Sequence, residues 1–130
     1  MSEYTIGSIV KGRYKTGSYV GEITAVKQGT VVVRVLAVRT HPTQGDLHQP
    51  NTGNVPFFQE RKALAKNEQA NMAIHTIQPF HEDVPDYKTS LKNALSRLEN
   101  QLLEHTDALF RDRSLTALNS LKSDYGIESS

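Results

Sequence analysis

The stretch Tyr19-Val20-Gly21-Glu22-Ile23-Thr24-Ala25-Val26-Lys27, Gln28-Gly29, Thr30-Val31-Val32-Val33-Arg34-Val35-Leu36-Ala37-Val38-Arg39 decides the fold. Its second arm is rich in β-branched residues, which pack well on a pleated surface. Its first arm alternates, with Val20, Glu22, Thr24 and Val26 on one face and Tyr19, Gly21, Ile23 and Ala25 on the other. Gln28-Gly29 lies between the arms, where Gly supplies the positive φ of a tight hairpin turn. Upstream, residues 6–14 alternate less regularly and end at a second turn, Lys15-Thr16-Gly17-Ser18. Three strands on short turns make an antiparallel meander. Glycines at 7, 12 and 21 let the strands coil sharply, so the pattern predicts an SH3-like β-barrel. Weaker strand patterns over 61–66 and 70–74 would complete five strands, and 77–80 reads as a closing turn.

Residues 40–56 carry three prolines and two glycines and read as a long structured loop. Such loops in compact domains are often functional. Phe57-Phe58 follows, and one of the two rings is expected to enter the core. From Val84 the hydrophobic period changes. Val84, Tyr87, Leu91, Leu95, Leu98 and Leu102 form one helical stripe. Pro85 is expected in the first turn, with Asp83 and Asp86 at the positive end of the helix dipole. After a break near His105-Thr106-Asp107, Leu115, Leu118, Leu121 and Tyr125 mark a second helix, stopped at Gly126. Residues 127–130 are expected to fray. The stripe suits a core; a partner helix or a second copy of the chain, giving a homo-oligomer, is the alternative.

The 130 residues contain no cysteine. Disulfides, Cys-ligated metal sites and thiol catalysis are therefore excluded for this sequence, and a thioether-linked lipid has no attachment point in it. Met1-Ser2-Glu3-Tyr4 places an acid where an export signal needs positive charge, and the longest apolar runs are too short to span a bilayer. The expectation is a cytoplasmic protein without direct membrane insertion. Net charge is +1, unevenly distributed: residues 1–66 hold nine Lys/Arg and four acids (+5), residues 67–130 six and ten (−4). The halves can dock on one another, or the basic half can face an acidic partner.

His41, Asp46 and His48 fall within eight residues and are metal-ligand types. The blander reading has Asp46 capping a turn while the histidines bond locally; no metal or other cofactor is expected. No GxSxG elbow, phosphate loop or dinucleotide fingerprint occurs, so no catalytic residues are assigned. Lys11, Arg13 and Lys15 interleave with Tyr14 and near Tyr19, the chemistry of a nucleic-acid surface. That patch is the alternative site to a protein-binding loop.

The order of segments carries further information. Gly7-Ser8-Ile9-Val10-Lys11, Tyr14-Lys15-Thr16-Gly17, Tyr19-Val20-Gly21-Glu22-Ile23-Thr24, His41-Pro42-Thr43-Gln44-Gly45-Asp46-Leu47-His48, Val55-Pro56-Phe57-Phe58-Gln59-Glu60-Arg61 and Val84-Pro85-Asp86-Tyr87 together resemble the kinase-associated protein B family of spore-forming bacilli. The resemblance implies an SH3-like barrel followed by helices. It implies a role in the sporulation phosphorelay beside the membrane histidine kinase KinB, and no assigned reaction. The family is often called a lipoprotein, a name from which this cysteine-free chain departs.

The combined expectation is mainly β plus α: an SH3-like β-barrel over 1–80 and a C-terminal helical hairpin over 81–130. The function expected is that of a non-catalytic partner of a sensor histidine kinase or phosphorelay component, membrane-associated only through that kinase. The expected recognition surface comprises His41, Pro42, Gly45, Asp46, His48, Pro56, Phe57 and Phe58.

Overall fold

The computed structural model describes residues 4–46 and 48–127; Leu47 of the motif and the tail beyond Ile127 lie outside the described residues. The protein is mixed α/β. Strands β1 (Ile9–Tyr14), β2 (Gly17–Val26) and β3 (Thr30–Thr40) form the expected meander, closed at its second turn by Lys27 N–H donating to Thr30 O at 2.9 Å. β4 (Gln69–Ala73) and β5 (Gln78–Pro79) complete an antiparallel sheet in the order β4-β3-β2-β1-β5. Helices α1 (Tyr87–Leu103) and α2 (Ala108–Tyr125) follow.

Even alternation fails in β2 and β3 because the ladder is bulged. Ser18 opposes Thr40 while Tyr19 opposes Val38, which leaves Arg39 unpaired; further shifts fall between Val20 and Gly21 and between Ile23 and Ala25. Bulges bend a strand and increase its twist. Consecutive Tyr19, Val20 and Gly21 are all buried as a result, because both sides of the sheet are covered at this point.

The sheet coils but does not close. β5 pairs with β1 through Val10↔Pro79 and Lys11↔Gln78, and β4 pairs only with β3 among the described residues. Between β4 and β5 the chain makes a 3₁₀ turn, Ile74–Thr76. There the Thr76 hydroxyl accepts from Arg13 N–H at 3.2 Å, a side chain in place of a ladder bond. The expected closed barrel is thus an open coiled sheet. The expected strand over 61–66 is absent, and the segment read as a closing turn contains β5. Gly12 marks how tightly the sheet coils, since a Cβ there would lie 2.5 Å from Ile77 Cδ1 and 2.9 Å from Met72 Sδ.

Each helix starts on an aspartate. Asp86 accepts from Thr89 N–H at 3.1 Å and Asp107 from Phe110 N–H at 2.9 Å, satisfying otherwise unpaired amides. Pro85 therefore precedes the cap rather than occupying the first turn. Gly126 takes the left-handed conformation (φ 73°), and Ile127 N–H reaches back to Lys122 O at 2.8 Å. Ile127 is buried in the core cluster rather than free, so the fraying expected from 127 onward does not apply to it. Leu91, Leu95 and Leu102 of the stripe join Phe110, Leu118 and Leu121 of α2 and the valines of the sheet in one core cluster. The stripe serves this chain's own core. Val84 lies exposed ahead of the helix.

Candidate functional site

The described residues of 41–65 form no regular secondary structure, yet the segment is anchored at several points. Gln44 replaces a strand partner. Its Oε1 accepts from Arg61 N–H (2.8 Å), and its Nε2 donates to Arg61 O (2.9 Å) and Pro42 O (3.1 Å). Arg61 Nε in turn donates to Gly45 O at 2.9 Å. Gly45 has φ 101°, and a Cβ there would meet the Phe58 ring at 2.8 Å. Only glycine satisfies both the turn and the ring.

The strap that follows is held by three tyrosines from three elements. Tyr19 of β2 accepts from Leu64 N–H at 3.2 Å, Tyr87 of α1 donates to Leu64 O at 2.6 Å, and Tyr125 of α2 accepts from Ala63 N–H at 2.9 Å. This is why 61–66 is not a strand: side chains already satisfy its backbone groups. Burial raises all three phenols above their ordinary range, Tyr19 to about 12. Each hydroxyl keeps its proton at neutral pH.

His41 is 1% exposed. Its Nδ1 lies 3.0 Å from Pro42 O and its Nε2 2.9 Å from the Tyr125 hydroxyl. The carbonyl can only accept, so Nδ1 carries the proton and bare Nε2 accepts from Tyr125. One chain of bonds then runs from Ala63 N–H through Tyr125 to His41 and on to Pro42. Burial lowers the His41 pKa to about 4, keeping the ring neutral.

The sequence-predicted site therefore divides. His41, Pro42 and Gly45 are buried and frame the loop instead of facing outward. Asp46 Oδ1 accepts from His48 N–H at 2.8 Å, the turn-capping role. His41, Asp46 and His48 do not converge, and no group of three possible ligands is placed to hold a metal among the described residues. Phe58 packs edge-on against Phe110, centroids 5.9 Å apart, with the Arg113 guanidinium 4.9 Å over its ring. Arg113 also donates to Gly53 O at 2.7 Å, and Gly53 lies so close to Leu109 and Phe110 that a Cβ would collide with backbone. Phe58 is thus half-buried against the core cluster rather than inside it, short of the ring expected to enter the core. Its neighbour Phe57 is 75% exposed, flanked by exposed Pro56, with His48 also exposed on the same loop. The anchoring roles of Gln44 and the three tyrosines escaped sequence reasoning, because the bonds that pin the strap span 17 to 62 residues and leave no periodicity.

The basic patch divides as well. Lys11 and Arg13 line one shallow depression with Arg39, Ser18, Thr76 and Gln78. Lys15 lies elsewhere, its ammonium 5.5 Å over the Tyr14 ring, in a cleft shared with Glu60 and Glu68. Tyr19, 1% exposed, is not available for stacking bases.

Comparison with known proteins gives a consistent result. A family model described as "Kinase associated protein B" matches residues 14–126. A Bacillus subtilis (strain 168) protein named kinase-associated lipoprotein B is 49% identical over 125 residues, spanning 96% of this chain and 97% of that relative. The crystal structure of kinase-associated protein B from Bacillus cereus is similar with a TM-score of 0.81 at 41% identity, covering 96% of this chain and 100% of that one.

Proposed function

The chain belongs to the kinase-associated protein B family, and from that premise we propose that it is a non-catalytic binding module for a sporulation sensor histidine kinase or another phosphorelay component. We read the coiled five-strand sheet as an open SH3-like barrel that, with α2, holds the 41–58 loop in place. Phe57 is the observation that carries the reading. A large aromatic stands 75% exposed beside a neighbour, Phe58, that is packed against Phe110 and Arg113, on a loop with little freedom left to lose. Exposed aromatics on ordered frames make efficient interface anchors, since little ordering entropy opposes binding. Pro56 precedes it and His48 is exposed on the same loop, while His41, Pro42, Gly45 and Phe58 act by shaping the loop. The protein works at the cytoplasmic side, reaching the membrane through its kinase. None of the described helices is long and apolar enough to cross a bilayer.

The test is affinity purification from sporulating cells. Wild-type protein is expected to enrich a histidine kinase or phosphorelay protein, Phe57→Ala to lose that partner at least tenfold, and Val26→Ala, at a remote exposed turn, to keep it. Failure of the wild type to enrich such a protein, or full retention by Phe57→Ala, contradicts the proposal.

A further inference from the structure

A second surface, separate from the Phe57 loop, points to a ligand of different chemistry. Lys11 and Arg13 flank Gly12, which faces the core, so both project from the outer side of β1. Arg39 reaches the same place from β3 because it is the residue that the bulge between Ser18 and Tyr19 leaves unpaired. Bulges commonly re-aim a side chain in this way. Ser18, opposite Arg13, and Gln78, opposite Lys11, bring a hydroxyl and an amide to the rim. The depression they enclose has a volume of about 200 Å³ and no carboxylate in its lining. The three ion pairs among the described residues are Arg34–Glu22, Arg111–Asp112 and Lys122–Glu99, so none engages these cations. Three like charges held around one concavity repel one another, a cost that a compact anion removes.

The geometry points to a binding site for a phosphoryl dianion at Lys11, Arg13 and Arg39. Two guanidinium forks and one ammonium match the three oxygens and near-double charge of such a group. Extended single-stranded nucleic acid fits less well. Its bases need exposed aromatic faces, and here Tyr19 is buried and the Tyr14 ring is covered by Lys15. Beyond Arg39, moreover, the next groove balances Glu82 and Asp83 against Arg39 and Arg97, so no run of uncompensated positive charge leads a polyanion out of the depression. The inference does not depend on the kinase reading, since it rests on a different surface and on charge alone.

The test is an NMR titration of the ¹⁵N-labelled protein at constant ionic strength, with inorganic phosphate and a phosphoserine peptide as probes and chloride as control. Both probes are expected to shift the amides of Lys11, Arg13, Ser18, Arg39 and Gln78. Shifts with phosphate alone assign the site to the free anion; shifts with both extend it to phosphorylated side chains. Arg39→Glu should weaken binding at least tenfold, and Lys15→Glu by less than twofold. Both substitutions lie on exposed side chains, and an unchanged melting temperature confirms folding. Phosphate shifts no larger than those of chloride overturn the proposal, as does equal weakening by Lys15→Glu and Arg39→Glu. Tighter binding of single-stranded oligouridine than of the phosphopeptide, lost in Lys15→Glu, overturns it in favour of a nucleic-acid surface.

Discussion

The sheet and the 41–65 segment satisfy their buried backbone groups by different means. In β2 and β3 each strand satisfies the other through a continuous ladder that tolerates three register shifts. In 41–65 the same groups are satisfied one at a time by Gln44, Tyr19, Tyr87 and Tyr125, drawn from a loop, a strand and two helices. A ladder is redundant, because its neighbours support one another. A set of single side-chain bonds is not, because each partner lost leaves a buried polar group unpaired. The difference teaches that an irregular segment can be as ordered as a sheet while depending on far fewer residues.

Cutting the shared core should have the largest effect and should not distinguish the two regions. Leu118→Ala removes a fully buried side chain between α2 and its neighbours. It should cost about 2–5 kcal/mol in chemical denaturation, with protection falling throughout the molecule. Gln44→Leu separates the regions. It leaves Arg61 N–H and Arg61 O without their partner, while Pro42 O keeps His41 Nδ1–H, and should cost roughly 2–3 kcal/mol. Amide exchange should accelerate over 42–61 and stay unchanged in β2 and β3.

Acid probes the same contrast without a mutation. His41 is neutral in the folded protein down to about pH 4, whereas an unfolded histidine takes up a proton near 6.5. The unfolded state therefore binds more protons between those values, and stability must fall as pH drops from 6.5 to 4. The total loss is roughly 3 kcal/mol. The helix-capping carboxylates Asp86 and Asp107, both held below their ordinary range by amide hydrogen bonds, add losses only at still lower pH. Denaturation curves across the window should show the slope in wild type and lose it in His41→Gln. The smallest effect on folding belongs to Phe57→Ala, within about 0.5 kcal/mol for so exposed a side chain, even though it is the substitution expected to abolish partner binding.

What could be read from the residues follows the same division. The meander, the Gly29 turn, the Leu91–Leu95–Leu102 stripe, the Gly126 stop and the Asp46 turn all depend on neighbours in sequence, and all appear as expected. So does the family, whose motifs are local. Residues 61–66 were open to misreading because buried Ala63 and Leu64 look like a strand wherever the partner is unknown, and no local rule names a tyrosine 62 residues away as that partner. His41 looked like a surface ligand because an exposed and a buried histidine are the same letter. Its burial depends on Tyr125 at the far end of the chain. The open sheet depends on the 3₁₀ turn at Ile74–Thr76, a short feature without a composition signal.

The central claim, that side-chain bonds hold 41–65 as rigidly as a ladder holds the sheet, is tested most directly by native-state hydrogen exchange at Ala63 and Leu64. Their amides are predicted to exchange as slowly as those of Val33 and Val35 in β3. In Tyr125→Phe, Ala63 should be released by about 1–3 kcal/mol while β3 is unaffected. Fast exchange at both amides in the wild-type protein would contradict the account.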